Sequence, residues 1–294
     1  MPRFGPVMTA MVTPFAADGS VDHDGTARLA RWLVEQGNDG LVVTGTTGEA
    51  SCLTDDEQVA IWRTVREAVD VPIIAGSGTN DTRHACELTA RAAGAGIDAV
   101  LVVTPYYNRP SQAGIEGHFR AVAAATDLPV VLYDIPVRTG RKVSQEVLLR
   151  LATEVPNLIA LKDAAGSPGD TARLIAAAPP GFEVYSGDDP LTLPLLAVGA
   201  VGVIGVATHW CAPMMVEMIA AFTKGDVARA TELNARMIES FDFETGDLAP
   251  NPVPAKAMLR ALGLPAGFCR PPVGPPPADL ESRALEVHGR LYPT

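Results

Sequence analysis

Short apolar, β-branched runs recur along the chain, separated by longer stretches in which apolar positions return every three or four residues. The runs fall at 7–13, 40–44, 72–75, 99–103, 129–134, 158–162, 182–186 and 202–206. They are apolar throughout, as expected of strands covered on both faces. The stretches between them, at 24–37, 55–69, 81–94, 112–126, 144–154, 169–178, 189–198 and 210–222, predict amphipathic helices. Thr54-Asp55-Asp56-Glu57 has the form of a capping box. Asn80-Asp81 and Ser144-Gln145-Glu146 offer further cap oxygens. Gly37, Gly94 and Gly225 stand where a left-handed residue would close a helix. Strands alternating with helices eight times over, without a long break, predict an α/β fold, a closed (β/α)8 TIM barrel. Thr13-Pro14-Phe15-Ala16 follows the first run where a Rossmann sheet would have a glycine-rich turn. After residue 225 the strand pattern stops, and 226–243, 253–262 and 278–290 read as helices split by proline-rich linkers at 249–254 and 270–277. The expected organisation is a catalytic barrel over 1–225 and a C-terminal helical domain over 226–294.

Composition narrows the function. The 294 residues are 47% hydrophobic and 19% charged, which suits a globular protein with a large core. A net charge of −11 argues against nucleic acid and anionic membranes as partners, so an anionic substrate needs locally placed positive charge. Cys52, Cys86, Cys211 and Cys269 form no C-x-x-C pair and read as reduced thiols of a cytoplasmic protein. The N-terminus has no signal-like charged and apolar regions. No apolar run reaches the roughly 18 residues of a membrane span.

A barrel carries its active site at the C-terminal ends of its strands. The second run ends in Thr44-Gly45-Thr46-Thr47-Gly48-Glu49, the fourth in Thr104-Pro105-Tyr106-Tyr107-Asn108-Arg109, the fifth in Tyr133 with Arg138 five residues on, and the seventh in Ser186-Gly187-Asp188-Asp189. The sixth ends in Lys162, with Leu158 and Ala160 expected on the same face. Burial of this lysine would lower its pKa and leave a neutral amine able to form a Schiff base with a carbonyl. The plainer reading is a lysine that snorkels or pairs with Asp163. Of the four lysines, Lys142, Lys162, Lys224 and Lys256, only Lys162 ends an apolar run. The glycine-flanked turn offers hydroxyls and backbone N–H groups to a carboxylate, or is simply a capped turn. Tyr133 can relay a proton or be a core tyrosine. Arg138 can grip a carboxylate or lie on the surface. His23, His84, His118, His209 and His288 are scattered and read as surface or capping residues; no metal site or cofactor is expected. Asp188-Asp189 is explained by a helix N-terminus as well as by a cation. No G-x-S-x-G elbow is present.

These segments, together with Asn251-Pro252-Val253-Pro254-Ala255-Lys256, give the chain a resemblance that runs from Thr9 to Gly263. It resembles the dihydrodipicolinate synthase family, within the class I pyruvate-dependent lyases that include N-acetylneuraminate lyase. The resemblance implies condensation of pyruvate with L-aspartate-4-semialdehyde to 4-hydroxy-tetrahydrodipicolinate, towards diaminopimelate and lysine. It implies that Lys162 forms the imine, Tyr133 shuttles protons, and Thr46 passes them to Tyr107 of a neighbouring subunit. Thr47 and the backbone at Ile204 would hold the pyruvate carboxylate and Arg138 that of the second substrate. Backbone near Gly187 and Asn251 would shape the pocket. A homotetramer built as a dimer of dimers is implied as well. The double threonine and Arg138 are synthase-like rather than neuraminate-lyase-like. Ala50 and Asp134 replace a frequent serine and asparagine. Lysine-inhibited members carry histidines where this chain has Asp55 and Gln58, and a glutamate where it has His84, so the expected feedback by lysine is weak or absent. Two alternatives are another pyruvate-dependent aldolase of the superfamily and a silent keto-acid-binding barrel.

Overall fold

The computed structural model describes residues 2–293. Eight parallel strands close into a barrel in sequence order: β1 Val7–Ala10, β2 Gly40–Val43, β3 Ile73–Gly76, β4 Ala99–Val103, β5 Val130–Asp134, β6 Leu158–Asp163, β7 Glu183–Ser186 and β8 Gly202–Gly205. Closure is made by β8 on β1, with Met8 opposite Ile204. The outer helices are α1 His23–Glu35, α2 Asp55–Ala68, α3 Thr82–Ala92, α4 Gln112–Ala124, the short α5 Pro136–Thr139, α6 Gln145–Glu154, α7 Pro168–Ala177, α8 Thr192–Ala197 and α9 Thr208–Thr223. Three more follow: α10 Val227–Phe243, α11 Val253–Ala261 and α12 Leu280–Leu291.

The continuous apolar runs are explained by two cores. Met8, Ala10, Val42, Ile74, Leu101, Val131, Ala160 and Ile204 fill the barrel interior. Their strand neighbours, including Val7, Leu41, Val43, Val100, Leu132, Leu161 and Val203, face the helices. The outer core also takes in Leu233, Met237, Met258, Leu259 and Leu280, so α10 to α12 pack on the barrel without a separate core.

The local signals act largely as read. Thr54 and Glu57 form a reciprocal capping box on α2, and Asp81 and Ser144 cap α3 and α6. Gly37 and Gly225 are left-handed. Gly94 is not: α3 runs on into a 3-10 turn over Ala93–Ala95, and Gly96 takes the left-handed position. Leu158 also departs from the expected alternation. The β5–β6 register shifts between Val130 and Val131, so Leu158 joins the outer core while Ala160 faces inward.

Candidate active site

Register on β6 places Lys162 between Tyr133 of β5 and Tyr185 of β7. Its side chain is buried, and Nζ lies 4.4 Å from the centre of the Tyr133 ring. Its stem rests on Gly187: a β-carbon there would come within 2.9 Å of Lys162 Cγ and 3.0 Å of Cε. Among the described residues no carboxylate comes within ion-pairing distance of Nζ, whereas Lys142 has two and Lys256 one. Burial therefore lowers the Lys162 pKa to about 8; Asp189 and Glu244 oppose the shift and Arg138 assists it.

Lys256 is equally buried but chemically occupied. Its ammonium sits 2.6 Å from Glu49 and 4.1 Å from the centre of the Phe15 ring, and it donates to the Phe268 carbonyl at 3.1 Å. Sequence reasoning assigned Lys256 no role of its own, because it does not end an apolar run. The signal lay in its setting, since every position from Val253 to Leu259 is buried.

Four non-glycine residues have positive φ among the described residues, and all lie in the loops after β2 and β4: Thr44, Glu49, Tyr107 and Arg109. Backbone strain of about 1–3 kcal/mol per residue is gathered where the strands end. In the β2 loop Thr46 lines the same cavity as the Tyr133 phenol. Burial pushes that phenol up to about 12, with Arg138 and Thr46 pulling it back. Thr47 is buried, and its Oγ1 accepts from Asn251 Nδ2 at 3.1 Å. Arg138, on α5, donates to the Asn251 carbonyl at 3.3 Å. The segment before α11 thus reaches back to two strand-end loops. Ile204 is fully buried on β8. Tyr107 is 89% exposed in the single chain and does not line the cavity beside Thr46 and Tyr133.

A cavity of about 400 Å³ opens beside these residues, bounded by Thr46, Tyr133, Arg138 and Tyr106 on one side and Asp55, Gln58, Asn80 and His84 on the other. Lys162, Thr47, Gly187, Ile204 and Asn251 lie outside its walls. The cavity keeps a carboxylate, contrary to the expected loss of one, but on α2 rather than α3: Asp55 is held by His84 Nε2 at 2.9 Å.

Two buried acids close the other side of the barrel rim. Asp189 Oδ2 accepts from Val206 N at 2.7 Å, and Glu244, at the end of α10, accepts from Ala207 N at 3.0 Å. Burial pushes both carboxyls above the ordinary range; Asp189 raises Glu244 further, whereas the Val206 amide and Glu244 pull Asp189 back. The sequence offered no reason to single out Glu244, because contact with β8 depends on where α10 docks. Two histidines also differ from expectation. His118 and His209 are buried rather than superficial, and burial holds both near pKa 4. His209 accepts from Val12 N and meets the Val206 carbonyl, tying the β1 and β8 ends together. Among the described residues no group of three metal-ligating side chains converges, and no helix is long and apolar enough to cross a membrane.

Fold and site together define a (β/α)8-barrel enzyme built around a buried, unpaired lysine. The chain matches the model of the dihydrodipicolinate synthetase family over residues 3–286, and it belongs to that family. It is 50% identical over 287 residues to the 4-hydroxy-tetrahydrodipicolinate synthase of Acidothermus cellulolyticus, covering 96% of this chain and 91% of the relative. It is 49% identical over 273 residues to the synthase of Moorella thermoacetica, covering 92% of each. The dihydrodipicolinate synthase structure from Cyanidioschyzon merolae with lysine bound superposes with a TM-score of 0.96 at 42% identity, covering 99% of both chains.

Proposed function

We propose that this chain condenses pyruvate with L-aspartate-4-semialdehyde to give 4-hydroxy-tetrahydrodipicolinate, the step that leads to diaminopimelate and lysine. The observation that carries the reading is Lys162: a desolvated amine with no carboxylate in contact, set over Tyr133 at the C-terminal rim of a barrel. Such an amine is a nucleophile near neutral pH, and its attack on the pyruvate keto carbon expels water and leaves an imine. The imine withdraws electrons from the methyl carbon, which loses a proton and then attacks the aldehyde. Tyr133, which shares the cavity wall with Thr46, is the proton carrier in this scheme. Tyr107 completes the relay in a neighbouring subunit's site, which accounts for its exposure in the single chain. Thr47 and the Ile204 backbone bind the pyruvate carboxylate, and Arg138 binds that of the aldehyde. Gly187 and Asn251 set the pocket wall through the Lys162 stem and the Thr47 hydroxyl.

The same reading takes residues 1–225 as the catalytic barrel and 226–294 as an appendix that lends Asn251 to the site. It takes the assembly as a homotetramer of two dimers, and the location as cytoplasmic, in keeping with four free thiols. The test is borohydride reduction in the presence of pyruvate, followed by peptide mass analysis and a coupled assay with L-aspartate-4-semialdehyde. A reduced pyruvyl adduct on Lys162 and turnover of the aldehyde are expected. An adduct without turnover would redirect the reading to another aldolase, and no adduct would end it.

A further inference from the structure

The Asp189 and Glu244 carboxyls are brought side by side by consecutive backbone amides, those of Val206 and Ala207. Asp189 is 1% exposed and Glu244 7%. Asp189 Oδ2 is satisfied, but Oδ1 is buried with no N–H or O–H donor in reach among the described residues. It lies against the bare backbone of Gly205, where a β-carbon would come within 2.3 Å of it. A buried acceptor is rarely left without a donor. The Glu244 carboxyl, held on the next backbone amide, becomes a donor to this pair if it carries a proton. Two adjacent desolvated carboxyls do not both ionise, as repulsion raises the second proton's affinity.

We propose that Asp189 and Glu244 share one proton and act together as a single negative charge behind Lys162, the counter-ion of the iminium formed there. This deepens the proposed reaction and rests on it. When the Lys162 ammonium gives way to a protonated imine, one cation replaces another and water carries off the keto oxygen. A fixed monoanion suits both states. A dianion would hold the amine protonated and slow its attack, and a neutral pair would leave the iminium uncompensated. The other charged or titratable groups facing this cluster are Arg138 and Tyr133 above Lys162, Asp188 beside Asp189, Asp163 beyond Asp188, and Cys211 on α9. Neutral His209 adjoins Val206. Asp189 and Glu244 are thus positioning residues, acting through Lys162.

The experiment follows imine formation with pyruvate against pH, by borohydride trapping in single turnover, in the full-length enzyme and three variants. Glu244→Gln and Asp189→Asn each keep a hydrogen bond and one ionised carboxyl, so the acidic limb of the profile should stay in place. The double variant has no carboxylate, and its limb should move to lower pH by about one to two units, as expected for loss of a nearby opposite charge. A limb that moves part of the way in Glu244→Gln would mean two charges, and one that moves as far as in the double variant would mean that Glu244 alone is ionised; either would overturn the proposal. An unmoved limb in the double variant would overturn it too. Infrared difference spectra of the unsubstituted enzyme should show a protonated carboxyl that disappears in Glu244→Gln, a readout that survives should the double variant fail to fold. Absence of that band sinks the shared proton, whereas absence of any adduct in the unsubstituted enzyme would sink the proposed reaction instead.

Discussion

Lys162 should make the folded protein less stable than it could be. Burial lowers its pKa from 10.5 to about 8, and at about 1.4 kcal/mol per unit this corresponds to roughly 3 kcal/mol. Because the folded pKa lies below the unfolded one, the unfolded chain binds more protons between those two values. Stability therefore rises with pH through that window, and the whole handicap is present below about pH 8. Replacing Lys162 by methionine keeps an unbranched side chain one atom shorter and removes the charge. At pH 7 Lys162→Met is expected to be more stable by up to about 3 kcal/mol, with the gap narrowing to about 2 kcal/mol at pH 9. Urea unfolding at fixed subunit concentration measures the gap, and imine formation should be abolished in the same variant. A variant less stable at pH 7, or a gap that does not change with pH, would refute the claim that the amine is desolvated and unpaired.

Gly187→Ala should place a methyl group 2.9 Å from Lys162 Cγ, well inside ordinary carbon contact of about 3.5–4 Å. A stability loss of about 1–3 kcal/mol and a fall in the rate of imine formation of about 10–100-fold are expected, measured by unfolding and by trapping. Lys256→Met alone should cost about 3–5 kcal/mol by stranding the Glu49 carboxylate, and Glu49→Gln combined with it should recover much of that in a double-mutant cycle. Lysine should inhibit weakly, because the Asp55 carboxylate in the cavity is already engaged by His84; half-inhibition at low lysine concentration in a steady-state assay would contradict this.

The barrel was legible because parallel strands buried on both faces leave unbroken apolar runs, and all eight appear within a few residues of where the pattern puts them. The strand-end position of Lys162 was legible for the same reason. What escaped was set by tertiary contact. The slip of register at Val130 turned Leu158 outward. Continuation of α3 into a tighter turn moved the left-handed glycine from Gly94 to Gly96. His118 and His209 look like surface residues until the helices that bury them are docked. Lys256 and Glu244 lie on helices whose inward faces are fixed only by packing against the barrel.

The buried contact between Glu49 and Lys256 joins positions more than two hundred residues apart. A nascent chain must leave the ribosome almost whole before that carboxylate meets its cation. A polypeptide ending prematurely after β8 would carry every strand, yet would leave Glu49, in the loop that bears Thr46 and Thr47, without Lys256 or the Arg270 amide. The last quarter of the chain is in this way a structural condition for the loop after β2, although all eight strands precede it.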